Sequence, residues 1–361
     1  MRADVSGLMH GELGDWLAGQ TDMRAGAKEK AASRWTWGAA GLMPALAFIW
    51  FGPGLGFDLN AFLSGAGVFG VAIWGYRPIA DAKKSIKIGI NSAIAASLGI
   101  AYEHDVEPGA EFEAAKRYGL VPSFDRDSFE DHWHGALEGH EFALYEAHLE
   151  ERRGGGKNKR WVTVFCGAIV RMRFGRSFRS TTLLQRAGRH KKWFGLGGKK
   201  DSVDFGGHLL AFVDQVHPAF EDAFDLYSDD AVEARMLVHP AYVEHLVALE
   251  KAFRGKAVRA LFVKGEVILA VEQRENLFES GSMDEAKDRL LAEETADQFA
   301  ALARLALSIN QNERGRVLAK ERAREPQATT QTPPSLPDPV REDVAQLAKR
   351  RAAGGFGRKG L

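Results

Sequence analysis

Two long stretches without a charged residue constrain this 361-residue chain more than any other feature. Residues 37–56 contain Leu42, Met43, Leu46, Phe48, Ile49, Trp50 and Phe51. Residues 59–76 contain Phe62, Leu63, Val68, Phe69, Val71, Ile73 and Trp74. Each run is about 18–20 residues, enough to cross a hydrocarbon core of roughly 30 Å as a helix. Asp58 is the single charge between them, and Gly54, Gly56 and Asn60 supply turn chemistry around it. Trp35, Trp37, Trp74 and Tyr76 lie at the ends away from that turn, where interfacial aromatics collect. Small residues recur in both runs (Gly38, Gly41 and Ala45; Ala61, Gly65 and Gly67), as they do where helices approach closely in lipid. The pattern predicts a two-helix transmembrane hairpin over residues 35–77. Arg24, Lys28, Lys30 and Arg34 precede it; Arg77, Lys83, Lys84 and Lys87 follow it. The turn has neither Lys nor Arg, so the positive-inside rule places both termini in the cytoplasm. Membrane lipid is then the first partner. A hairpin buried in a soluble helical domain is the competing reading, disfavoured because few soluble helices stay uncharged all round.

Residues 1–34 carry charges of both signs and no apolar core of signal-peptide length, and read as a cytoplasmic N-terminal segment. Cys166 is the only cysteine, which excludes an intrachain disulfide and a cysteine-based zinc cluster and suits a reducing compartment. Beyond the hairpin, a cytoplasmic α+β domain is expected over residues 80–310. Residues 82–101 repeat Ile86, Ile90, Ile94 and Leu98 at helical spacing, and Pro108 can open a short helix to Tyr118. Residues 161–174 alternate like a strand, with Val162, Val164, Cys166, Ala168, Val170 and Met172 on one face. Further strands are expected at 179–186, 208–213, 258–263 and 267–271, the last two joined at Lys264-Gly265, and a helix at 240–253. Gly154, Gly155 and Gly156 mark a hairpin loop, and Ser282 with Glu285 has the spacing of a capping box. Strands first and helices later indicate a mixed antiparallel-sheet and helix domain rather than a βαβ repeat. Residues 312–361 are rich in Pro, Thr, Gln, Gly and cations and read as a disordered basic tail.

The even charge total hides segregation. Residues 151–200 hold fifteen Lys or Arg against Glu151 alone, whereas residues 201–250 hold eleven acids against Arg235 alone. Basic strands pairing with acidic neighbours inside one domain would account for it. The functional reading is that Arg171, Arg173, Arg176, Arg179, Arg186, Arg189, Lys191 and Lys192 face anionic lipid headgroups, each cation being worth about 1 kcal/mol there. The block lacks a recognition helix or interleaved stacking aromatics, so nucleic acid is not expected as a partner. For metal chemistry the candidates are His132, His134 and His140, which share strand parity in a stretch that also holds Asp131, Glu138 and Glu141. The bland reading is a polar strand followed by a turn at Gly139. Asp229 and Asp230 precede a helix, where an Asp is first an N-cap. The run 195–200 (GLGGKK) lacks phosphate-loop spacing. No cofactor motif, nucleophile elbow, kinase or zinc-protease signature is present.

Residues 220–235 (FEDAFDLYSDDAVEAR), continuing through Met236-Leu237-Val238-His239-Pro240, follow Asp131-His132-Trp133-His134-Gly135, the 142–146 segment and Phe165-Cys166-Gly167, with the strand pair at 259–271 downstream. In this order they resemble the bacterial membrane-protein family catalogued as domain of unknown function 3137, over roughly residues 90–310. The resemblance implies a membrane-associated domain of unassigned activity in the bacterial inner membrane, and carries over no catalytic residue. Two functions are expected to compete: a non-enzymatic, membrane-anchored interaction or regulatory module with a protein partner, or a membrane-bound metal-dependent hydrolase using the His132–His140 region.

Overall fold

The computed structural model describes residues 16–309, except residues 17, 53, 55, 176, 188–199, 206, 215–222, 275 and 280. The tail expected at 312–361 and residues 1–15 lie outside the described residues. The chain is α+β, with six helices and one large antiparallel sheet among the described residues, and it divides into two compact units.

The helical unit holds the described residues up to Ala93 together with Glu279–Ala292. Helix α1 is Thr21–Phe51 and helix α2 is Phe57–Leu98. A helix was expected to end near residue 76 and another to begin at 82; the chain instead continues as one helix of 42 residues, about 63 Å long. Pro78 lies inside it, although a proline there forgoes its own N–H bond and its ring crowds the carbonyl four residues back. Gly99, at φ +69°, ends α2, and the Ile100 amide closes the last turn onto the Ala95 carbonyl. The expected Ile stripe is buried throughout. Helix α1 stops at Phe51, so the last residues of the first uncharged run fall outside it. Its remaining apolar part is diluted by Trp, Gly and Pro44, and α2 is the one described helix long and apolar enough to cross a membrane.

Contacts run along both helices. The Trp35 indole donates to the Ala72 carbonyl (3.3 Å), the Arg34 guanidinium to the Trp74 carbonyl (3.2 Å) and the Trp50 indole to the Ser64 hydroxyl (3.1 Å). Gly38 lies against Val71, Gly67 against Leu42 and Gly75 against Trp35, each with too little space for a Cβ. Arg24 makes a buried ion pair with Asp288 (2.8 Å), and Asp288 also accepts the Gly281 and Ser282 amides. Helix α6 (Glu285–Ile309) is capped by Asp284, whose carboxylate accepts the Ala286 amide, rather than by Ser282. With Glu285 already the first helical residue, the expected reciprocal bond has no place to form.

The sheet unit takes in Ile94–Phe278 and α6 from Glu293. Its elements are β1 (Ala101–Asp105), α3 (Ala110–Arg117), β2 (Arg126–Leu137), β3 (His140–Arg153), β4 (Arg160–Arg173), β5 (Thr182–Arg186), β6 (Ser202–Phe205), β7 (His208–Phe212), β8 (Phe224–Ser228), α4 (Ala231–Leu237), α5 (Pro240–Ala252), β9 (Ala257–Val263) and β10 (Glu266–Glu272). The sheet order is β1-β2-β3-β4-β10-β9-β5-β8-β7-β6. Glu138-Gly139 joins β2 to β3 and Lys264-Gly265 joins β9 to β10; both residues of each pair have positive φ, as two-residue hairpins require. On one face Phe112, Ala115 and Tyr118 of the α3 region pack with Tyr145, Phe165, Leu183, Tyr227 and Leu261. On the other, Phe299 and Phe278 stack around Trp133, and Tyr242 of α5 meets Phe262. Central strands are therefore covered twice, and residues 165–170 of β4 are all buried rather than alternating as expected. At Gly167 the backbone comes so close to the Val271 carbonyl of β10 that only glycine fits.

Candidate functional site

The helical unit presents an apolar surface. Trp37, Met43, Phe48, Phe51, Phe57, Phe62 and Phe69 are each between 68% and 90% exposed, the reverse of what water permits for contiguous large side chains. Aromatic and cationic groups collect at one end of this surface. The Arg34 guanidinium lies 5.4 Å from the centre of the Trp74 ring, and the Lys83 ammonium 5.9 Å from that of Tyr76. At the other end Trp50 packs edge-on to Phe57. Of the flanking cations, Arg24 and Lys87 are taken up by Asp288 and Glu279, while Lys28, Lys30, Arg77 and Lys84 are exposed.

In the sheet unit, three of the expected lipid-facing cations are ion-paired. Arg171 bridges Glu141 (3.2 Å) and Glu266 (3.1 Å), and Arg173 also holds Glu141 (3.2 Å). These two guanidinium groups hold the Glu141 carboxyl below its ordinary range. Arg186 pairs with Glu250 and lies over the Phe224 ring. Arg179 is exposed, and its amide donates to Glu233. Arg176, Arg189, Lys191 and Lys192 lie outside the described residues, as do residues 195–199 of the glycine-lysine run. Asp229 and Asp230 are structural: Asp230 caps α4 by accepting the Val232 and Glu233 amides, and Asp229 accepts the Thr181 amide.

The histidines are divided. In β2 the register shifts between Glu130 and Trp133, and Asp131 takes a left-handed φ of 58°, which Asp tolerates better than most residues. Asp131 is buried and accepts the Tyr102 hydroxyl at 2.6 Å. Beyond this bulge His132 and His134 stack with ring centres 4.7 Å apart. Glu103, on the neighbouring strand β1 and directly opposite His132, reaches both: 3.8 Å to His132 Nδ1 and 3.5 Å to His134 Nε2. His140 is not brought into this group; it opens β3 across the turn, paired with Leu137. Burial, followed by the neighbouring His134, lowers the His132 pKa against the opposing pull of Glu103 and Glu111, favouring the neutral ring. Tyr145 is beside it, its phenol raised by burial and by Glu111. Sequence reasoning missed Glu103, Glu111 and Tyr145. Only the cross-strand register and the packing of α3 bring them here, and neither leaves a local signal.

A family model described as a protein of unknown function (DUF3137) matches residues 163–311, from β4 through α6. The match supports the family resemblance over that segment and leaves residues 90–162 outside it. No curated protein matches the sequence. Among solved structures, the crystal structure of the mycobacterial trehalose monomycolate transport factor A, TtfA, aligns with 62% of this chain and 96% of its own at 12% identity. Its TM-score of 0.28 is too low for the likeness to carry an argument.

Proposed function

We propose that this protein is an integral component of the bacterial inner membrane, in which α1 and α2 insert as a hairpin and hold a non-enzymatic interaction or regulatory module at the cytoplasmic face. The supporting observation is the belt of exposed Trp, Phe, Met and Ile side chains on both helices, bounded at one end by Trp35, Trp74, Tyr76 and cations. In water such a surface would drive aggregation; in lipid it is the favourable surface to present. Lys28, Lys30, Arg34, Arg77 and Lys84 flank that end and the connecting turn has no cation, so the positive-inside rule keeps both termini cytoplasmic. Arg179, with Arg176, Arg189, Lys191 and Lys192, supplies the cations for contact with anionic headgroups. A family of unassigned function contributes no reaction to this reading.

The test is extraction of native membranes with alkaline carbonate, combined with reporter fusions. The full-length chain is expected in the pellet, with an alkaline phosphatase fused to its C-terminus inactive and one inserted at Gly54 active. Release into the carbonate supernatant, or an active C-terminal phosphatase, would sink the proposal.

A further inference from the structure

We infer that Glu103, His132 and His134 form a divalent transition-metal site of the zinc class on the β1–β2 edge of the sheet, independent of how the chain meets a membrane. Three nitrogen and oxygen donors converge there from two adjacent strands. The register sets Glu103 opposite His132, and the bulge at Asp131 leaves His132 and His134 stacked on one side of the strand, flanking the buried Trp133. The separations of 3.8 and 3.5 Å between the carboxylate oxygens and the ring nitrogens exceed the 2.7–3.2 Å of good hydrogen bonds. Two donors each about 2.1 Å from a tetrahedral ion lie roughly 3.4 Å apart, near the 3.8 Å from Glu103 Oε2 to His132 Nδ1 and the 3.5 Å from Glu103 Oε1 to His134 Nε2. All three ligand atoms lie within 4.8 Å of one another.

Two imidazoles with one carboxylate suit zinc or a similar borderline ion better than calcium or magnesium, which favour oxygen shells. A partly exposed trio leaves a coordination position open to solvent, unlike the closed four-ligand structural sites. Bound metal would clip the edge strand β1 to β2.

The experiment uses the full-length protein in detergent micelles, purified without a polyhistidine tag and stripped with chelator, then titrated with zinc chloride by calorimetry with thermal unfolding in parallel. One equivalent should bind and raise the melting temperature. Glu103→Gln, His132→Ala and His134→Ala should each weaken binding about tenfold or more and abolish the thermal shift, whereas His140→Ala should leave both unchanged. Circular dichroism checks folding, and if a histidine variant fails to fold, the exposed and near-isosteric Glu103→Gln decides. The inference is overturned by binding well below one equivalent, by wild-type affinity in folded Glu103→Gln, or by an equal loss in His140→Ala.

Discussion

Tyr242 illustrates how a single atom can cost stability without serving the fold. Its side chain is completely buried against Phe262, burial alone pushes the phenol far up, and the hydroxyl has no hydrogen-bond partner among the described residues. A buried donor left unmade costs about 1–3 kcal/mol. Tyr242→Phe should therefore be neutral or should stabilise by about 1 kcal/mol, read as an upward shift in the thermal midpoint. The opposite holds at Asp288, whose buried carboxylate answers Arg24 and two backbone amides. Asp288→Ala removes the carboxylate that answers a buried guanidinium and both amides, and denaturant unfolding should show a loss of about 3–5 kcal/mol. Local chemistry was readable at this scale where it acts within a few residues. Asp230 caps α4 as its position before the helix predicts, whereas the reach of Arg24 to Asp288 spans most of the chain and leaves no trace in either neighbourhood.

Between elements, the junction of α4 with the start of β5 rests on Glu233. Partial burial on its own would raise this carboxyl, yet the Ser180 and Arg179 amides more than reverse that, and the group sits below the usual carboxylate range. A depressed folded-state pKa gives stability that is complete above the ordinary carboxylate pKa and is lost as pH falls through the folded one. Acid unfolding should therefore steepen below about pH 5, and Glu233→Gln should flatten that limb while costing about 1 kcal/mol at neutral pH. Elements with a strong period or turn code were legible: β9 and β10 around Lys264-Gly265, the Ile stripe of α2 and the helix opening at Pro240. Strands β1, β6 and β8 were not foreseen; β1 and β8 owe their pairing to partners distant in sequence, β2 and β5. The alternation assigned to β4 failed for another reason: helices cover both faces of the central strands, so burial there is continuous.

Over the whole molecule, the basic block is answered in part within the sheet unit, Arg171 and Arg173 by Glu141 and Glu266 of neighbouring strands and Arg186 by Glu250 of α5, which alone of these acids belongs to the acidic block. The candidate metal cluster was half legible: His132 and His134 share a strand, but the Glu103 that joins them comes from a different one. Of the two spans expected from hydropathy, the one in α2 is long and apolar enough to cross a membrane, while the apolar run of α1 is shorter than expected. From Trp35 to Phe51, where that helix ends, the rise is only about 24 Å, against a hydrocarbon core of roughly 30 Å. In a membrane such a shortfall would cost a fraction of a kcal/mol per Å and would be met by thinning the surrounding lipid. Under the proposed insertion, reconstitution yield should fall steadily from dimyristoyl- to dierucoyl-phosphatidylcholine vesicles, and an indifferent yield would contradict it. Inserted in that way, so brief an oily segment would sit at least cost among short-tailed lipids.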